Sequence, residues 1–262
     1  MNKKIHVSLF VIATAFISIL SMQAQAEEIE PAASPYRPTV SNPAELSMPG
    51  WLEMEFGTQQ VKGGDNKWRD SYPVLAKLAF TEDWGLLVGS EMAVKRTDMS
   101  DMVFSGNGDT LFVIKHRIPT AAEGTAWGVE AGYKSPTAND TIGSGQADYL
   151  VNGIYSTELA GHHLDLNLGA TKIGGINDGT GEYQYNWAAS GSRNLNEKLG
   201  VFAELSGVMR QGTQAQAQMM AGASYNFSKR VVFDAGASAG LTQGAQEWSV
   251  FAGITALLGK LW

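Results

Sequence analysis

Cysteine is absent from the 262 residues, which excludes a disulfide scaffold, thiol chemistry and cysteine-type zinc sites. Basic charge is also in deficit, with Lys+Arg 19 against Asp+Glu 26, so a nucleic-acid partner is not expected. After Leu20 no apolar run reaches the roughly 20 residues that a spanning helix needs, which excludes a bundle of membrane helices. Proline is scarce at 8, and histidine is scarcer at 4. What the chain does have is glycine, 30 residues, with 44% hydrophobic residues at a mean hydropathy of -0.12. That balance excludes a disordered polymer and leaves two all-β architectures open, a soluble sandwich and a membrane barrel, since both alternate polar and apolar side chains.

Residues 1–26 read as a secretory signal: MNKK supplies the charge, Ile5 to Leu20 the apolar run, and Ala24 to Ala26 a small-residue exit. Cleavage after Ala26 is expected, and with it export of residues 27–262. Residues 27–50 form a second region. Pro31, Pro35, Pro38, Pro43 and Pro49 all fall there, and proline cannot donate to a β-ladder, so the segment should be extended and either sit at the periplasmic mouth of a barrel or enter it as a partial plug.

From Trp51 onward the texture is period-two alternation broken by turn-forming clusters. About twelve runs can be counted, most of them long enough for the roughly 9 to 11 residues of a tilted membrane strand. Short connections at residues 81–83, 120–123, 159–161, 195–197 and 228–230 alternate with longer ones such as residues 62–71, 95–107 and 135–145. A barrel in an outer membrane has this pattern, with short periplasmic turns and longer outer loops, whereas a sandwich has no reason for it. Side chains agree: Leu164, Leu166 and Leu168 oppose Asp165, Asn167 and Gly169, and the apolar faces are mostly capped by Trp or Tyr, as an interfacial aromatic girdle requires. The fold expected is a single antiparallel transmembrane β-barrel of about 12 strands over residues 51–262.

Projected onto such strands, the inward faces carry Glu53, Glu55, Glu91, Asp109, Glu130, Asp148, Asp165, Glu204 and Asp234 against Lys77, Lys115, Arg117 and Lys134. Charges in that position need water or partners. Glu91, Lys115, Glu130, Asp148 and Glu204 are the candidates for lining a passage, as orienting charges rather than catalysts. Leu75, Leu87, Leu111, Leu150, Phe202, Val232 and Phe251 point inward as well, which suits either a greasy ligand or a filled core. Enzymatic chemistry is not expected. Beyond the signal only His116, His162 and His163 remain; His116 projects outward, and the other two flank a short turn, with no Ser/His/Asp set able to converge. His162, His163 and Asp165 read as a solvated turn-flanking group rather than a metal site, Asp178 and Glu182 as part of a hairpin rather than a calcium loop, and no cofactor is expected.

The stretch from Arg37 to Gly57, RPTVSNPAELSMPGWLEMEFG, resembles the opening of the putative meta-pathway phenol degradation family, and YPVLAKLAFTEDWGLLVGSE, GDTLFVIKHRI and GYKSPTANDTIGSGQADYLVNGIYST follow in that family's order. The chain differs in having SPTAND where members often carry Pro-Thr-Gly. The resemblance implies an outer-membrane, transporter-like barrel that moves hydrophobic or aromatic small molecules and has no catalytic residues. The terminal Trp262 is similar to the aromatic end by which the barrel-assembly machinery recognises its clients, although Lys260 departs from that pattern. The partners expected are therefore the lipid bilayer of a Gram-negative outer membrane, that machinery and a small-molecule substrate. A surface barrel without transport and an outer-membrane hydrolase are the alternatives.

Overall fold

The computed structural model describes residues 30–176 and 179–262. The expected signal, the first residues of the proline-rich region and Asp178 lie outside the described residues. The chain divides into two compact units after Pro31; of the first, only Glu30 and Pro31 are described, and the second is Ala32–Trp262.

That second unit is built on thirteen strands: β1 Trp51–Gly63, β2 Asn66–Ala79, β3 Trp84–Thr97, β4 Val103–Gly106, β5 Thr110–Pro119, β6 Thr125–Ser135, β7 Asp148–Leu159, β8 His162–Lys172, β9 Tyr183–Asn194, β10 Leu199–Arg210, β11 Gln216–Ser228, β12 Val231–Gly240 and β13 Gln246–Lys260. Every neighbouring pair is antiparallel. Pairing of β1 with β13, from Trp51 against Lys260 to Gly63 against Gln246, joins the first strand to the last, and β2 also pairs with β3. Twelve strands therefore close a ring with no free edge. The thirteenth, β4, is a four-residue extension that pairs with the end of β3 beyond the point where β5 leaves it. A single interrupted run thus supplies both β4 and β5.

One expected connection differs. Residues 62–71 are not a loop: β1 and β2 pair out to Lys62 opposite Trp68, and only residues 64–65 lie between the strands. Gly63 and Gly64 both have positive φ, 85° and 74°, a conformation that glycine adopts without steric penalty and that lets a hairpin turn tightly. The long strands then stand proud of the bilayer thickness. The other connections keep the alternation, with residues 160–161 and 229–230 at one end and residues 98–109 and 136–147 at the other.

The outer surface is apolar. Ile114, Val129, Val151, Leu166, Leu168 and Leu205 project outward and are exposed. Aromatic pairs ring both ends: Trp84 with His116, Trp127 with Tyr155 and Phe80 with Trp262 near the short turns, and Trp68 with Trp248 and Tyr133 with Tyr149 near the long connections. A surface of this kind is stable against lipid and costly against water. The interior is the reverse, with Glu53, Glu55, Lys77, Lys115, Glu130 and Glu204 all buried.

Candidate functional site: a tethered segment in the lumen

Residues 32–49 run through the inside of the ring. Ala33 N–H donates to the Lys229 carbonyl in a short turn, and Gly50 N–H donates to the Ala79 carbonyl at the same end. Between those points the chain rises to about the middle of the barrel and returns. Apart from a single bridge between Pro49 and Ala79, it makes no ladder with the wall, as its prolines dictate. Many of its backbone groups, among them the N–H groups of Ser34, Tyr36, Arg37, Ser41, Asn42 and Ala44, bond wall side chains instead.

Tyr36 is a buried anchor of the segment. Its ring lies between two ammonium groups, Lys77 Nζ at 3.9 Å and Lys115 Nζ at 4.1 Å from the centroid, a cation–π arrangement that gains strength when desolvated. The hydroxyl donates to the Glu45 carbonyl at 2.6 Å and accepts from Lys115 at 3.0 Å. Burial, reinforced by Glu130, Glu53, Glu55 and Glu45, pushes this phenol well above its usual pKa, so it remains a donor. Lys77 in turn sits 2.5 Å from both Glu53 and Glu55. Those carboxylates also accept the backbone N–H groups of Ser34, Tyr36 and Arg37 at 3.0, 2.7 and 3.1 Å.

Further along, Arg37 reaches across to Asp234 at 3.4 Å and to the Ala252 carbonyl at 3.3 Å. Its guanidinium occupies a slot left by Gly57 and Gly253, where an added Cβ on either would overlap it. Ser41 donates its N–H and hydroxyl to Glu204 at 2.8 and 2.9 Å. Asn42 donates its side-chain amide to Glu130 at 3.0 Å, and its backbone N–H donates to, and its carbonyl accepts from, the side-chain amide of Asn167. Lys115 donates to the Pro43 carbonyl, and Ala44 N–H donates to Ser156 at 2.7 Å.

The five residues read from sequence as passage candidates therefore separate into two groups. Lys115, Glu130 and Glu204 are covered by the segment and hold it. Glu91 and Asp148 stand nearer the long connections, where Arg69 meets Glu91 at 2.6 Å and Lys134 meets Asp148 at 2.6 Å and Asp109 at 3.3 Å. These groups, with Leu111, Ile142 and Leu150 between them, enclose a cavity of about 310 Å³. Other free space is parcelled out: about 190 Å³ beside Val40, and about 310 Å³ below the segment next to Pro43 and His163. The inward leucines and phenylalanines pack into small clusters, Leu87 with Val113 and Tyr36, and Phe202 with Met220 and Phe251.

The histidines also fall into place. His116 faces out and stacks on Trp84 at 4.1 Å. His162 is exposed at its turn, but His163 is not the solvated group expected from sequence. It turns into the lumen, with Nδ1 2.7 Å from Glu158 and Nε2 3.1 Å from Asp165. The pairing register accounts for this, because His163 shares a face with Asp165 and lies directly across from Glu158. Tyr36 and Asn42 were not singled out from sequence, and Arg37 only as the start of the stretch that resembles the phenol degradation family; no role for any of the three followed from it.

Comparison with solved structures places this architecture among outer-membrane channels and porins. An outer-membrane channel from Pseudomonas putida F1, named COG4313, superposes with a TM-score of 0.66 at 12% identity, covering 82% of this chain and 98% of that one. The NanC porin gives 0.56 at 8% identity, covering 79% and 100%, and the KdgM porin 0.52 at 11%, covering 79% and 99%. No protein-family model matches the chain, and no curated protein matches it by sequence. At these identities the shared property is the fold alone, a β-barrel of the outer-membrane kind.

Proposed function

We propose that the protein is a passive outer-membrane channel for a small apolar or aromatic molecule, with residues 32–49 as a tethered constriction. The observation that carries this reading is the manner in which the segment is held. It is fixed by side-chain contacts to the lumen wall rather than by strand pairing, so it narrows the bore without being part of the sheet. A barrel needed only as scaffold or adhesin has no use for eighteen residues of chain held inside it almost entirely by side-chain contacts to the wall.

Two further features support the substrate class. The cavity near the long connections sets Leu111, Ile142 and Leu150 beside two ion-pair groups, the mixture that binds a molecule with a greasy body and a polar edge. The resemblance to the phenol degradation family points the same way. On this reading Glu91 and Asp148 orient the passing molecule, while Lys115, Glu130 and Glu204 seat the constriction. Its location is the outer membrane of a Gram-negative bacterium, reached by signal cleavage and by assembly through Trp262.

The test is to delete residues 32–46 and record single-channel conductance in planar bilayers. Conductance should rise several-fold over that of the intact protein. A deletion variant that inserts normally and conducts as the parent does would refute the constriction.

A further inference from the structure

At the short-turn end of the lumen, Glu45 of the segment meets His163 and Asp165 of β8, each offering a ligand atom within 4.8 Å of the others. We propose that these three residues form a site for a divalent transition cation, of which Zn²⁺ is the representative, that fastens the segment to the wall.

The donor set suits such an ion: one imidazole and two carboxylates, with room left for water or a further ligand. Calcium and magnesium favour all-oxygen sites and fit less well. The imidazole is already oriented for the task. Its Nδ1 is engaged by Glu158 at 2.7 Å, the outer carboxylate that commonly fixes the tautomer of a metal-binding histidine, while Nε2 bonds Asp165 at 3.1 Å, so the ion would enter between Nε2 and Asp165 and release the proton they share. On Asp165 the contacts from His163 and from Ser156 both land on Oδ1.

Two observations indicate that something more belongs here. Glu45 Oε2 is buried and has no hydrogen-bond partner among the described residues, a costly state for a carboxylate oxygen. The charge is also unbalanced. Glu45, Glu158 and Asp165 face one imidazole, and among the described residues no lysine or arginine forms an ion pair with any of the three. A divalent cation supplies both a partner for the orphaned oxygen and the missing positive charge. The lower cavity of about 310 Å³, lined in part by Pro43, His163, Asp165 and Ser190, gives it a route of entry.

The consequence is mechanical. Glu45 follows directly after Pro43 and Ala44, which are hydrogen-bonded to Lys115 and Ser156 of the wall. An ion shared between Glu45 and β8 would lock that turn of the segment in place.

The proposal is tested with tag-free, full-length protein in detergent stripped of metal with EDTA. Isothermal titration with Zn²⁺ should show a single saturable site per chain. E45Q and H163Q should each weaken binding at least about tenfold, E158Q by about tenfold as an outer-shell partner, and H162Q not at all. Ca²⁺ should bind far more weakly than Zn²⁺. E45Q alters the segment and leaves the barrel wall intact; heat-modifiable migration on electrophoresis verifies that every variant is folded. No saturable Zn²⁺ site in the parent, or unchanged affinity in both E45Q and H163Q, overturns the proposal. The titration does not depend on transport, so it can fail while the constriction stands, and the deletion experiment can fail while the metal site stands.

Discussion

The two halves of the lumen solve the same problem differently. Near the short turns, the buried ion pairs of the wall, Lys77 with Glu53 and Glu55 and Lys115 with Glu130, are covered and solvated by the inserted segment: Lys77 and Lys115 grip Tyr36, Glu204 takes Ser41, and Glu130 takes Asn42. Near the long connections, charges pair across the wall and leave a cavity between them, as with Lys134 opposite Asp148 and Arg69 beside Glu91. In the first half the paired side chains are fully covered, so their ion pairs are expensive to break. In the second the pairs are partly exposed, so they contribute little to stability and can change partners.

If that contrast holds, the largest effect should come from K77M. It strands Glu53 and Glu55, both fully buried, and should cost about 3–5 kcal/mol, the usual cost of leaving a buried charge unpaired. Urea unfolding of the protein in lipid vesicles measures it, and a loss below about 1 kcal/mol would erase the distinction between the halves.

On the lipid face, L166R should cost about 2–4 kcal/mol in the same assay, as an arginine facing the bilayer interior does. A neutral result there would mean that this face does not meet lipid.

Y36A comes next. Loss of a ring held between two ammonium groups should cost about 2–4 kcal/mol, somewhat less than K77M because water can enter the space it leaves. Single-channel recordings should show frequent openings that the parent lacks.

The smallest effect on stability belongs to R69Q in the second half, about 0–1 kcal/mol. It should nevertheless shift ion selectivity toward cations by freeing Glu91, which reversal potentials in a salt gradient report. A large stability loss with unchanged selectivity would reverse the roles assigned to the two halves.

Much of the fold was legible because it depends on a local rule. Alternation assigned Leu166 and Leu168 to the outside and Asp165 and Asn167 to the inside, and the structure agrees. The rule says which way a side chain points but not what it meets there. Lys115, Glu130 and Glu204 do face inward, yet the space in front of them is filled by chain from more than seventy residues away. The short hairpin at Gly63 and Gly64 was missed because Lys62, Asp65, Asn66 and Lys67 look like loop, although beyond the bilayer polar residues pair in strands as readily as apolar ones. His163 was within reach: its register opposite Glu158 follows from the turn at residues 160–161. The arrival of Glu45 beside it was not, since no periodicity connects an unpaired segment to a strand.

The excursion of residues 32–49 starts beside Lys229 and finishes beside Ala79, at one and the same rim. Both moorings therefore lie on the short-turn side, and the stretch between them enters the bore from that side alone. If the segment is the constriction proposed above, a pull on the short-turn side would withdraw it, whereas pressure from the opposite mouth would press it against its moorings.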